Sequence, residues 1–233
     1  TRRVTPSRRG RVEFLPANSQ TPALYPFQPK LQVGETIQWL RPAVVDSEQV
    51  VIANRRGDLY LVGIADGGAA HLAATTQTTM PQRPVAAPLV LKGQVIAITR
   101  GARHDVLVAY QAPSLSGETQ TNLPGRLVWG PFVVGETLLL ATLPGGVQAF
   151  TPSGQFQWNF NLSGKLPVGS PAQQANELAF VTTDGQLFQV TTADGELKRQ
   201  TNVAQSLGDG PFYLGSQIAR RAADGAVLIV AGE

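Results

Sequence analysis

The stretch Lys165–Arg199, KLPVGSPAQQANELAFVTTDGQLFQVTTADGELKR, carries the pattern that decides the fold. In its middle, Leu178, Phe180 and Thr182 recur at every second position, which is the period of a β-strand. Two Asp-Gly pairs follow, and each predicts a tight turn because glycine readily adopts a positive φ. The stretch therefore predicts a four-stranded antiparallel meander of about 40 residues.

The same unit recurs along the chain. Each copy opens with a proline, and a turn glycine follows that proline 13 to 15 residues later. The prolines are Pro42, Pro88, Pro131, Pro171 and Pro211, and the glycines are Gly57, Gly101, Gly145, Gly185 and Gly225. Apolar segments at 50–53, 95–99, 138–142, 178–182 and 217–221 predict a strand before each glycine, and those at 59–62, 106–110, 147–150, 187–190 and 227–230 predict one after it. This register predicts a repeat architecture in which each copy packs on its neighbours.

The third copy carries the most specific motifs. They are Pro131-Phe132-Val133-Val134-Gly135, Gly146-Val147-Gln148-Ala149-Phe150 and Gly154-Gln155-Phe156-Gln157-Trp158. The pattern resembles the pyrroloquinoline-quinone-like (PQQ-like) β-propeller repeat over roughly residues 34–233. The resemblance implies an all-β fold of about five four-stranded antiparallel blades, with Trp39 and Trp158 at the position where the ring packs between blades. Quinoprotein dehydrogenases share this repeat with non-enzymatic scaffolds such as the outer-membrane assembly lipoprotein type, so the resemblance leaves the function open.

The two ends of the repeat array complement each other. Fourth strands open at Gly117, Gly154 and Gly195, whereas the last copy has none, and Glu35–Trp39 has the pattern of a fourth strand without the three that should precede it. We therefore predict a ring of five blades that Glu35–Trp39 closes by pairing beside Val227–Val230, which removes two exposed edges. The alternative is an arc of a seven- or eight-bladed propeller, the usual size in the family that the repeat resembles.

Residues 1–33 are predicted to form a basic, proline-rich arm, and residues 34–233 the propeller. Five of the 19 basic residues lie within residues 1–12, at Arg2, Arg3, Arg8, Arg9 and Arg11. We expect residues 1–12 to be a disordered or surface-draped tail, or else an electrostatic arm for an acidic partner. Leu24, Tyr25 and Phe27 are expected to pack on the propeller flank, the alternative being a proline-rich face for a partner. No aromatic residue alternates with the arginines, so nucleic-acid binding is not predicted.

Residue types needed for catalysis are missing from the pattern. The chain has no Cys and only two histidines, which lie in different copies, so a zinc site is not predicted. No cluster of Asp, Glu and Asn offers calcium ligands, and the first strands of the copies lack the paired carboxylates of a glycosidase. No apolar run reaches the roughly 20 residues of a membrane helix. The sequence predicts a protein that is not an enzyme and has neither cofactor nor metal.

The function that fits these patterns is a non-catalytic scaffold that binds other proteins through its loop faces, within the cell envelope or an exported assembly. Only 15% of the residues are charged, and Gln, Thr and Ala are frequent, which is common in exported, periplasmic β-proteins. The predicted contacts are Arg100, Arg103, His104, Trp129 and Tyr213. The alternative is a propeller that binds a quinone or a sugar, or that hydrolyses its ligand. A neighbouring chain that completes the ring in a larger assembly is a third reading.

Overall fold

The computed structural model describes residues 2–6, 10–16, 21, 24–65, 69–203, 205–215 and 217–230. Within these ranges every regular element is a β-strand. The strands form five antiparallel sheets, which follow one another along the chain, and a two-stranded hairpin near the N terminus. The chain divides into two compact units, Thr1–Asn122 and Leu123–Glu233. We number the five sheets as blades one to five in chain order.

Unit 1 contains the hairpin and blades one and two. The hairpin pairs β1 (Arg2–Pro6) with β2 (Val12–Pro16). Blade one consists of β3 (Ala43–Val44), β4 (Gln49–Ala53), β5 (Asp58–Ala65) and β6 (His71–Thr79). Blade two consists of β7 (Leu89–Leu91), β8 (Gln94–Arg100), β9 (Asp105–Gln111) and β10 (Ser116–Asn122). In both blades, strands that are adjacent in sequence are adjacent in the sheet.

Unit 2 contains blades three, four and five. Blade three consists of β11 (Arg126–Val134), β12 (Thr137–Leu143), β13 (Gly146–Phe150) and β14 (Phe156–Phe160). Blade four consists of β15 (Pro167–Gln174), β16 (Glu177–Thr182), β17 (Gln186–Thr191) and β18 (Leu197–Asn202). Blade five has three strands within the described residues: β19 (Phe212–Leu214), β20 (Gln217–Arg221) and β21 (Val227–Val230).

The all-β fold and the repeat predicted from the sequence are confirmed. Each of the five turn glycines lies between the second and third strands of its blade. Gly185 shows the reason for glycine there, because its φ is +90° and an added Cβ would lie 2.5 Å from the Gln205 carbonyl oxygen. Side chains of other residue types fit neither this φ nor this space.

The second and third strands of blades one to four are covered on both faces, so they are apolar almost without alternation. Three clusters of buried side chains join neighbouring blades within the units: blade one to two, blade three to four, and blade four to five. Each fully buried Leu, Ile, Val or Phe contributes about 1.5–3 kcal/mol relative to an exposed one. The opposite face of blade five differs, since Phe212, Leu214, Val227 and Ile229 are all about half exposed.

The N-terminal segment forms a hairpin where it is described, so of the two expectations for residues 1–12 the disordered tail does not hold at 2–6 and 10–12, and the surface-draped tail stays a prediction. β1 pairs with β2, and β2 in turn bonds Phe27 through N–H···O distances of 2.8 and 3.0 Å at Val12. Val12, Phe14 and Phe27 are buried against Val50, Ile52, Tyr60 and Val62 of blade one. The alternation of apolar and polar residues in a five-residue strand is too short to be recognised in a sequence dominated by arginines. The burial of Val12, Phe14 and Phe27 holds the segment in place. Arg8 and Arg9 and the side chains of Arg2 and Arg3 lie outside the described residues.

The expected packing of Leu24 and Phe27 on the flank of a blade is confirmed, whereas Tyr25 is 68% exposed. Tyr25 takes part through its backbone, because its carbonyl accepts a hydrogen bond from the Leu72 N–H at 2.9 Å. The boundary between arm and propeller at residue 33 stays a prediction.

The segment Glu35–Trp39 is not a strand, which corrects the expectation that it pairs beside Val227–Val230. Its end lies against blade one instead, where Trp39 bridges Asn54 and the Leu40 N–H donates to the Ala53 carbonyl at 2.8 Å. The Trp39 ring packs edge-on against Tyr60 at 5.6 Å between centroids, and its indole N–H donates to the Gly10 carbonyl at 2.9 Å. These contacts leave the tryptophan half-buried within unit 1.

One outer strand is missing from the sequence prediction. It is β6, which completes blade one with the sequence HLAATTQTT, whereas β10 begins at the fourth-strand opening predicted at Gly117. Both strands consist mainly of polar residues; β6 alternates between half-buried and exposed positions over much of its length, and β10 is exposed at all positions but one. An outer strand with one solvated face therefore leaves little apolar signal in the sequence.

Candidate functional site

A groove of about 460 Å³ lies between blades three and four, within unit 2. Its walls come from three turn regions: the β11–β12 hairpin, the β13–β14 turn and the β17–β18 turn. The start of β12, the middle of β14 and the start of β16 supply its floor. The groove therefore opens at the end of each blade where the first and second strands are joined.

The floor of the groove is apolar and firmly held. Trp158, Leu139 and Leu178 line it and belong to the buried cluster that joins the two blades. The Trp158 indole N–H donates to the Thr192 carbonyl of blade four at 3.0 Å. Gly195 lies against the flat face of the indole ring, because an added Cβ would come within 2.5 Å of Cε3. The tryptophan of one blade is thus fixed by the turn of the next.

The rim of the groove is polar and exposed. Glu136, Gln157 and Gln173 line it with largely exposed side chains, and Thr137 and Thr192 lie below them with half-buried ones. The Gln173 side-chain amide donates to the Ala175 carbonyl at 3.1 Å, which orients it along the rim. The groove thus combines an apolar floor with a rim of amides and a carboxylate.

The predicted contacts Arg100, Arg103 and His104 lie together in the β8–β9 loop of blade two. The Arg100 guanidinium pairs with the buried Asp105 carboxylate at 3.2 Å. The loop is tight, since a Cβ at Gly101 would come within 2.3 Å of the His104 carbonyl oxygen. Arg103 is exposed and His104 half-buried, so this loop presents one flexible cation and one imidazole edge to a partner.

Trp129 and Tyr213 lie in unit 2 but at opposite ends of their sheets. Trp129 pairs with Ala141 near the β12–β13 turn, whereas Tyr213 pairs with Ile218 next to the β19–β20 turn. Trp129 is only 7% exposed, and its indole N–H donates to the Gly169 carbonyl of blade four at 2.5 Å. Burial, followed by the nearby Glu177 carboxylate, raises the pKa of the Tyr213 hydroxyl. Trp129 therefore packs between blades and leaves little surface for a partner.

The sequence did not predict the groove. Its rim residues Glu136, Gln157 and Gln173 are separated by up to 37 positions, and they meet only because two successive blades stack. A pattern that would have indicated it is the coincidence of the Trp158 motif with the Asp-Gly turn one repeat later.

The described residues were compared with the requirements of a metal site and of a membrane-spanning helix. Among the described residues, no group of three or more His, Asp or Glu side chains is arranged to hold a metal ion. No helix long and apolar enough to cross a membrane occurs in the same part of the chain.

The sheets, their order and their turns are those of a β-propeller, and comparison with solved structures confirms this fold. BamB from Moraxella catarrhalis is similar with a TM-score of 0.60 and 15% identity, over 98% of this chain and 69% of that one. The C-terminal WD40 domain of Sif2 is similar with a TM-score of 0.65 and 13% identity, over 99% and 66% of the two chains. BBS1N, solved in complex with ARL6DN, is similar with a TM-score of 0.62 and 12% identity, over 96% and 72%.

This chain thus spans about two thirds of the length of each of these structures. At such low identities the likeness concerns the fold alone. Neither a protein-family model nor a curated protein sequence matches the chain.

Proposed function

We propose that the protein is a non-catalytic β-propeller scaffold of the PQQ-like repeat type that binds another protein in the groove between blades three and four. The observation that carries the proposal is the combination of a fixed apolar floor with an exposed polar rim in that groove. A side chain that enters it meets Trp158, Leu139 and Leu178, while Glu136, Gln157 and Gln173 offer hydrogen bonds to the backbone beside it.

Rigid display is the mechanism in this proposal. The floor cannot collapse, because Trp158 is held by Thr192 and Gly195 of the next blade. A site that is formed before binding loses less conformational entropy when the partner arrives, and this favours affinity. The proposal sets the protein in the cell envelope or an exported assembly, on the ground of its low content of charged residues.

A photo-crosslinking amino acid at position 157 tests this proposal in the organism's own cells. We expect one reproducible cross-linked protein from Gln157, and we expect Thr137→Arg in the same chain to abolish it by filling the groove with a long cation. Placing the cross-linker at Arg103 provides the comparison, because that loop lies in blade two. Cross-links from position 103 alone would show that the groove is not the binding surface.

The alternative of a quinone- or sugar-binding propeller makes a different prediction for the purified protein. It requires a visible absorption band, or a sugar that protects the Trp158 fluorescence from quenching. The scaffold proposal requires neither, and a saturable effect of either kind that Thr137→Arg abolishes would favour the alternative.

A further inference from the structure

Arg220 is a charged side chain enclosed in the wall between blades four and five. It is 0% exposed, and within the described part of the chain none of its three guanidinium nitrogens has a hydrogen-bond partner. Arg220 lies five residues before the turn glycine of blade five. Ile52, Leu140 and Phe180 lie at the same distance before the turn glycines of blades one, three and four. All three of those side chains are 0% exposed as well. Arg220 therefore occupies a core position that blades one, three and four fill with a large apolar residue.

The surroundings of Arg220 are apolar. Ile218, two positions earlier in β20, faces the same way and packs on Val181 and Leu187 of blade four. Leu228 lies directly opposite Arg220 on β21 and belongs to the same cluster. Elsewhere between these two blades the backbones approach closely, at Gly210 and Ser170.

Four carboxylates of blades four and five bond groups other than Arg220. Asp184 bonds Lys165 at 2.8 Å, and Asp224 accepts from the Gln205 amide at 3.0 Å. Asp209 accepts from the Gly210 N–H at 2.8 Å, and Glu177 accepts from Gln189 at 3.4 Å. Burial alone lowers the pKa of Arg220, with no acidic group acting against it.

A guanidinium in such a place remains charged, because its pKa starts at 12.5 and arginine keeps its proton in proteins. A buried charge without a counter-charge is strongly unfavourable, whereas a planar fork of five N–H donors matches a carboxylate or an oxyanion with two parallel hydrogen bonds. We infer that Arg220 binds a small anion of the carboxylate or inorganic oxyanion class between blades four and five. This inference is independent of the groove between blades three and four.

Thermal unfolding of the purified full chain in formate and in phosphate tests the inference. The ionic strength is held constant with a morpholine-ethanesulfonate salt, whose anion is too bulky for an enclosed site. Arg221→Met is the matched control, because Arg221 is the next residue in β20 and is exposed. For the wild type and Arg221→Met we expect a saturable rise in the unfolding midpoint, of about 5 °C or more at a hundredfold excess over Kd.

Arg220→Met should fold, because a long apolar side chain suits a position that Phe180 and Leu140 fill elsewhere. We expect this variant to lose the saturable rise completely. Arg220→Lys should retain it with an affinity at least about tenfold weaker, since lysine keeps the charge but not the planar fork. The inference is overturned if Arg220→Met responds to formate and phosphate as the wild type does, or if the wild type shows no saturable response to either.

Discussion

Replacing Gly195 with alanine tests the contact that fixes the floor of the groove. Gly195 has a φ of +71°, and its ideal Cβ would lie 2.5 Å from Cε3 and 2.7 Å from Cδ2 of Trp158. Carbon atoms in contact prefer about 3.5–4.0 Å, so the indole must retreat by roughly 1 Å. That movement strains its hydrogen bond to the Thr192 carbonyl, which is 3.0 Å long.

The cost of Gly195→Ala is the sum of three effects. The left-handed backbone costs alanine about 1 kcal/mol, and weakening the indole hydrogen bond costs about 1 kcal/mol. Forcing a methyl group into a packed contact costs about 1–3 kcal/mol. We therefore expect the free energy of unfolding to fall by about 3–5 kcal/mol, which lowers the midpoint of thermal unfolding by roughly 10 °C in a chain of this size.

Gly215→Ala is the matched control, because Gly215 has a φ of +62° and no atom within 4 Å of its ideal Cβ. This variant should show the backbone cost of about 1 kcal/mol alone. Urea unfolding followed by far-UV circular dichroism measures both variants. In a Trp158→Leu background, Gly195→Ala should cost no more than Gly215→Ala, because the ring that it strikes is gone. Equal costs for the two alanine variants in the wild-type background would refute this reasoning.

Four further substitutions, of which Tyr25→Ala is a control, address other contacts. Phe27→Ala should lower the free energy of unfolding by about 3–5 kcal/mol in urea titration, because Phe27 is only 9% exposed, whereas Tyr25→Ala should change it by less than about 0.5 kcal/mol. Trp129→Phe should cost about 1–2 kcal/mol through the lost bond to Gly169 and leave partner cross-linking at position 157 unchanged, measured by the same unfolding and cross-linking assays. The Lys165 ammonium and then the Thr182 hydroxyl lower the pKa of Asp184 below its ordinary 3.8, so its contribution is present above that pH and is lost as the pH falls through the lower pKa of the folded state. Asp184→Asn should thus be less stable than the wild type at pH 7 and approach it in acid unfolding at pH 2; a difference that persists at pH 2 would contradict this assignment.

The repeat could be predicted from the sequence because its second and third strands are buried on both faces. Strands such as β12 and β16 have continuous apolar runs, and the turn glycines between strands stand at constant spacing. Outer strands are largely solvated, so β6 carries mainly Thr, Gln and other polar residues and gave no apolar signal, whereas β10 could be predicted only from the turn glycine Gly117 at its start.

The Trp39 segment was misplaced for a different reason. Its motif matches a fourth strand, but nothing in the motif states which sheet it joins. The Trp39 ring packs on Phe27 and Tyr60. Phe27 lies before the repeats begin, and Tyr60 lies later in the chain, in blade one. Tertiary packing of this kind is invisible to a local pattern.

The groove forms because blades three and four stack on each other, and local sequence patterns do not show how blades stack. The loop 100–105 was predicted from its charge, and the structure shows that Asp105 in it is buried and paired with Arg100. The groove lies where turns from two blades meet, and the burial of Arg220 has no signal in the sequence because arginine rarely occupies a fully buried position.

The central proposal is that another protein binds in the groove between blades three and four. The most direct measurement uses the partner protein that cross-linking at position 157 identifies. This partner is purified and titrated against the purified wild-type chain and against Thr137→Arg. Arg103→Ala is the control on a different blade. We predict that Thr137→Arg weakens Kd at least about tenfold, equivalent to about 1.4 kcal/mol, while Arg103→Ala binds as the wild type does. An unchanged Kd for Thr137→Arg, in a chain that unfolds at the wild-type temperature, would contradict the proposal.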